Sequence, residues 1–344
     1  MWIEWLQAYL IFAAKAVTVV IAVALIVMVI AGAVRQVAAL RHQERLEIRN
    51  LNERFRDMAD AVRESILPQE ALKRLHKQRK QAHKQRERDG EQNRKPRVFV
   101  LNFEGDLHAH AVGALREEIS AVLQLAEAGD EVLLRLESEG GMVHAYGLAA
   151  SQLARIRARG IQLTIAIDMV AASGGYLMAC VGDRIIAAPF AIIGSIGVIA
   201  QLPNFHRLLQ RMDVDFELHT AGEFKRTLTL FGENTEAGRA KFREELEQTH
   251  GLFKQFVSDH RPQVPLDEVA TGEHWYGQRA LQLRLVDELQ TSDDYLLSKV
   301  ESHDLVELRF MRRAKLAERL AQGVSVMGQG VRRSMQNQIS ARWH

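Results

Sequence analysis

Residues 161–180 read IQLTIAIDMVAASGGYLMAC. The run from Ile161 to Ile167, mostly apolar and rich in Ile, reads as a strand. Ala171-Ala172-Ser173-Gly174-Gly175-Tyr176 follows as a turn of small residues, and a short helix runs on to Cys180. The same grammar precedes it. Arg97 to Phe103 reads as a strand, Val112 to Leu125 as a helix and Glu131 to Leu136 as a strand. The Gly-rich turn Ser138-Glu139-Gly140-Gly141 then opens a helix from Val143 to Arg159. Strands alternating with helices predict βαβ units and an α/β fold.

Outward from this core the chain changes character. Of 344 residues, 47% are apolar and 26% charged, a globular balance that excludes a disordered chain. Cys180 is the one cysteine, which excludes an internal disulfide and a cysteine-based zinc site. The net charge of +2 sums over unlike segments. Ala16 to Val34 holds no charge, and at about 1.5 Å per residue it spans a hydrocarbon core of about 30 Å. Trp2, Trp5 and Tyr9 stand before it as interfacial aromatics would. Ala31-Gly32-Ala33 has the small-x-small form of a cleavage site, but a basic n-region is missing, so the run reads as an uncleaved anchor. Arg35, Arg41, Arg45 and Arg49 follow it, and the positive-inside rule places that side in the cytoplasm. Residues 35–65 read as a continuing helix, and 73–97 as a basic, solvated segment beside an anionic bilayer. No aromatics interleave with those charges, so a base-stacking surface for nucleic acid is not indicated.

Two turns carry candidate chemistry. Ser173 lies between a strand and a helix with small neighbours, the exposure a nucleophile needs. The N–H of Gly174 follows it at a helix start, and Gly140-Gly141 offers a second donor at an earlier strand end. Two N–H groups aimed at one point make an oxyanion hole. A nucleophilic serine also needs a base. Candidates are His144, His206 and His219, with Asp168 or Asp215 as orienter, and Lys225 beyond a predicted strand from Asp213 to His219. A lysine serves only if burial lowers its proton affinity. The residues by themselves leave the choice open.

A resemblance closes it. Ala171 to Tyr176, Ile193-Gly194-Ser195-Ile196-Gly197-Val198 and Gly222-Glu223-Phe224-Lys225 resemble the signature of the signal peptide peptidase A family. Leu136 to Gly141, Thr220 to Thr229 and Ala270 to Gly277 resemble its SohB branch, inner-membrane serine peptidases. The resemblance covers nearly the whole chain. It implies a ClpP/crotonase-like ββα superhelix behind an N-terminal transmembrane helix and a basic helical segment. It implies Ser173 as nucleophile, Lys225 as general base, Ser195 as the hydroxyl orienting the lysine, and Gly141 and Gly174 as oxyanion-hole donors. It also implies peptide or membrane-protein substrates, contact with membrane lipid and a homo-oligomer in which Lys225 meets Ser173 of a neighbour. No cofactor, metal or nucleic acid is expected. Where the family's common turn is Asn-Ser-Pro-Gly-Gly, this chain has Glu137-Ser138-Glu139-Gly140-Gly141, which keeps the glycines. The competing readings are a crotonase-like acyl-CoA enzyme and a non-catalytic membrane scaffold.

The expected organisation is an anchor (1–34), a charged helical region (35–97), a peptidase domain (98–302) and a basic amphipathic tail (303–344). Ile185 to Ala200 is uncharged too, but Pro189, Gly194 and Gly197 argue for buried strands over a second span. Thr235 to Phe256 and residues 278–287 read as helices.

Overall fold

The strand from Arg97 to Gly105 shows why the core is layered. Phe99, Leu101 and Phe103 enter one apolar cluster while Val98 and Val100 enter another on the opposite face. With a side-chain period of two, both faces are covered, as a parallel sheet requires. In this computed structural model the described residues are 45–74 and 94–311, with positions 15, 77 and 81. The expected anchor, most of the basic run and the tail beyond Met311 lie outside them. Among the described residues no helix is long and apolar enough to cross a membrane.

The strands are β1 (Arg45–Asn50), β2 (Arg97–Gly105), β3 (Glu131–Ser138), β4 (Gln162–Ile167), β5 (Val170–Ala172), β6 (Arg184–Ala187), β7 (Ile192–Gly194), β8 (His274–Tyr276), β9 (Glu288–Leu289) and β10 (Asp304–Met311). The helices are α1 (Leu51–Ile66), α2 (Val112–Leu125), α3 (Val143–Ala158), α4 (Gly174–Ala179), α5 (His206–Arg211), α6 (Glu236–His260), α7 (Leu266–Val269), α8 (Gly277–Gln282) and α9 (Ser292–Lys299). The sheet runs β1-β10-β2-β3-β4-β6-β9. At its end β3 also pairs with β5 through Ser138 and Ala171, and β5 pairs in parallel with β7, which pairs antiparallel with β8. The main sheet and this short branch part where β3 ends, and the branch carries the small-residue turns.

Several expectations change. Within 35–65, Arg45–Asn50 is an edge strand, and the helix begins only at Leu51 with Asn50 as its N-cap. Asn52 accepts from the Leu305 N–H and donates to the Val300 and His303 carbonyls, seating α1 in the core. Asp304–Met311, expected to start the tail, is a core strand paired with β2. One compact unit runs from Leu46 to Phe310. Asp213 to His219 forms no strand; Val214, Phe216 and Leu218 alternate as a strand would, but no strand among the described residues pairs with them and they stay exposed. The helix expected over 278–287 stops at Gln282, because Arg284 adopts φ 58°. The second apolar stretch is β6 and β7, two short strands.

Candidate active site

Ser173 has φ 50° and ψ −119° at the junction of β5 and α4. A non-glycine residue there costs about 1–3 kcal/mol, so the surroundings must impose it. They do so through hydrogen bonds at both sides: the Ser173 N–H donates to Gly194 O at 2.8 Å, and the Leu177 N–H donates to Ser173 O at 3.0 Å. The backbone bends so that the next N–H, of Gly174, has no acceptor among the described residues.

The Gly140 turn is pressed against this bend. Gly140 has φ 96°, and a Cβ there would stand 2.7 Å from Gly174 N and 2.8 Å from Ser173 Cβ. The adjoining Gly141 lies against the Leu107 carbonyl, which accepts from Met142 N–H at 2.9 Å, and the Gly141 N–H also lacks an acceptor among the described residues. Gly141 and Gly174, the two expected donors, therefore flank Ser173 with free N–H groups.

Ser195 is brought to the same place. In the parallel pairing of β5 with β7, Ala172 stands opposite Gly194, so Ser173 and Ser195 directly follow the ends of two adjacent strands. Ser195 has φ 51°, its N–H donates to Glu273 O at 2.7 Å, and the next carbonyl, of Ile196, meets His250 Nε2 on α6 at 3.1 Å. A cavity of about 220 Å³ opens from Ser173, Gly141 and Gly174. Its walls are mostly apolar: Val143 and Gly147 of α3, Leu177, Val198 and Ile199, and Leu252, Phe253 and Phe256 of α6, with Thr249 of α6 beside them.

Lys225 is not part of that lining. It is exposed, on a segment whose backbone N–H turns back to Gly222 O. The same arm exposes Phe216 and Phe224, the latter 51% accessible, while Phe205 stacks on Phe231 at 6.0 Å. The histidine alternatives line the cavity no better. His144 is exposed at the start of α3, and His219 pairs with Glu217 in solvent. Asp168 is occupied by Ser292, accepting from its N–H and hydroxyl. Cys180 is fully buried and burial pushes its thiol pKa up, which leaves it inert. A serine Oγ, two free N–H groups and an apolar cleft can together carry acyl transfer through a covalent serine ester.

Comparison with known proteins agrees. The family model for the N-terminal part of peptidase family S49 matches residues 4–153, and that for peptidase family S49 itself matches 155–306. A "Probable protease SohB" of Haemophilus influenzae is 51% identical over 284 residues, 80% of each chain. One from Buchnera aphidicola of Acyrthosiphon pisum is 56% identical over 233 residues, 68% of this chain and 69% of that one. Among solved structures, a mutant 1510-N membrane-bound stomatin-specific protease in complex with a substrate peptide aligns at TM-score 0.38 and 13% identity, covering 67% of this chain and 98% of that one. The chain is a serine-type endopeptidase. The chain belongs to peptidase family S49, as one of its SohB-type members.

Sequence reasoning missed Tyr146. It reads as one more apolar residue of a helix, yet it is fully buried beneath the turn, its ring against Gly174 and edge-on to Phe103 at 6.4 Å. The one available signal was an aromatic five residues after the Gly-Gly turn.

Proposed function

We propose that the chain is a membrane-anchored endopeptidase in which Ser173 is the nucleophile and Lys225 the general base, supplied by a neighbouring copy. The observation that carries this reading is the enforced bend at Ser173 between the free N–H groups of Gly141 and Gly174. Ser173 Oγ attacks the scissile carbonyl and its proton passes to the neutral Lys225 amine, which Ser195 orients. The developing oxyanion accepts from the two N–H groups, the amine leaves with the proton from Lys225, and water hydrolyses the acyl-enzyme. A lysine works as a base only when taken out of water. Packing the apolar arm that bears Lys225 onto a second copy removes that water, and exposed apolar patches of this kind mark interfaces. Activity then depends on a homo-oligomer.

The uncharged run within residues 1–34 supports an inner-membrane anchor, and the basic segment after it supports contact with anionic lipid. The βαβ core with its short branch sheet suits a ClpP/crotonase-like superhelix. The apolar cleft favours apolar side chains beside the scissile bond, as membrane-associated or signal-peptide-like peptides carry. In the test, Ser173→Ala and Lys225→Ala each abolish casein cleavage and labelling by a serine-directed acylating probe. Cleavage that persists in both variants would overturn the dyad.

A further inference from the structure

The phenol of Tyr146 sits where three segments meet. Its hydroxyl donates to the Asp106 backbone carbonyl at 2.8 Å, and Ser138 Oγ lies 2.6 Å from it. The single phenolic proton is committed to Asp106 O, so Ser138 must donate to the phenol oxygen. That leaves Ser138 Oγ to accept the Gly140 N–H, at 3.0 Å. The chain therefore has one direction: Gly140 N–H to Ser138 O–H to Tyr146 O–H to the Asp106 carbonyl. Ser138 and Tyr146 are buried, so neither hydroxyl can turn to water instead.

The ring of the same residue supports the other half of the site. A Cβ on Gly174 would stand 2.5 Å from Tyr146 Cγ, 2.8 Å from Cδ2 and 2.9 Å from Cβ, so Gly174 packs directly against the base of the ring. One side chain thus touches both donors' supports, Gly174 by its ring and the Gly140-Gly141 turn through Ser138. The chain also occupies the Gly140 N–H, which leaves Gly141 as the free donor of that turn.

We propose that Tyr146 is a positioning residue that sets the spacing between the Gly141 and Gly174 N–H groups, acting through Ser138 and through its ring. The proposal rests on the reading of Ser173 as nucleophile. Its role lies in the transition state: a peptide in the cleft is held by apolar walls, whereas a tetrahedral oxyanion needs both donors at the right separation.

The test compares full-length wild type with Tyr146→Phe, which keeps the ring, with Ser138→Ala, and with the double variant. Each is measured for kcat and KM. Each is also measured for binding of two peptides of one apolar sequence, one ending in an aldehyde that forms a tetrahedral adduct with serine, the other in an unreactive amide. Both single variants should lose about 10- to 100-fold in kcat, somewhat less than outright deletion of an oxyanion donor, with KM little changed. Aldehyde affinity should fall by the same factor and amide affinity should stay. The double variant should resemble the singles, because both cut one link. Equal loss of aldehyde and amide binding would overturn the proposal, since general damage to the fold weakens both. So would full retention of the aldehyde preference, or a double variant that multiplies the single losses. Wild type that binds the two peptides equally would instead overturn the serine reading, and the proposal with it.

Discussion

Replacing Gly140 with alanine tests the turn most sharply. The added Cβ would meet Gly174 N at 2.7 Å and both Ala172 O and Ser173 Cβ at 2.8 Å, where ordinary contact begins near 3.4 Å. Something must give by more than half an ångström, and each of these neighbours is backbone or the Cβ of Ser173. Alanine at φ 96° adds about 1–2 kcal/mol of backbone cost. Overpacking adds about 1–3 kcal/mol, so denaturant unfolding should report a loss of about 2–5 kcal/mol. A 1 Å error in a reacting geometry costs about 100-fold, so the shift here should lower kcat by about 10- to 100-fold. KM should move little, because the apolar cleft beyond Gly141 is untouched. Steady-state hydrolysis of a peptide substrate, corrected for the folded fraction, provides the measurement. A Gly140→Ala enzyme of wild-type stability with kcat within threefold would show that the two turns are not pressed together and would refute the reasoning.

Other expectations follow from single positions. Gly147 lies inside α3 and lines the cleft, and a methyl added there would meet nothing within 4 Å, so packing does not require glycine. Gly147→Ala should raise stability by about 1 kcal/mol, while Gly147→Leu should shorten the cleft and shift cleavage toward peptides with smaller side chains, read as a ratio of kcat/KM values. Glu118 is 3% exposed; Oε1 accepts from Phe310 N–H at 2.7 Å and Oε2 has no partner among the described residues. Burial pushes its pKa up to about 7. The folded state therefore binds more protons than the unfolded one between the ordinary carboxyl range and pH 7, and stability falls as pH rises through that window. The difference between wild type and Glu118→Gln should change by about 3 kcal/mol across it and level off above pH 7; a flat difference would contradict a buried, protonated carboxyl.

The layered core was legible because burial on both faces leaves its mark directly on sequence. Val98 to Phe103 and Leu163 to Ile167 are apolar at every position that the two clusters fill. The small-residue turns were legible for a similar reason, since Gly140 and Gly174 have no room for a side chain. Edges were not. Arg45–Asn50 lies on a sheet margin, where four of its six residues are exposed and none is buried, and the charge pattern resembles a helix's. Val214, Phe216 and Leu218 mislead in the opposite direction: the alternation is real, but a strand also needs a partner, and pairing is not written in the strand itself. Tyr146 escaped because its role depends on Asp106 and Ser138, which only the fold brings to one phenol.

In the proposed dyad, Ser173 meets Lys225 of another copy. Within one chain Lys225 is exposed and outside the cleft lining. The most direct measurement mixes inactive Ser173→Ala chains with inactive Lys225→Ala chains, after dissociation and reassembly at equal concentration. In a closed ring each site needs an intact serine from one chain and an intact lysine from the next, so random mixing should restore about one quarter of wild-type activity. Mixtures as inactive as their components would contradict a dyad shared between copies.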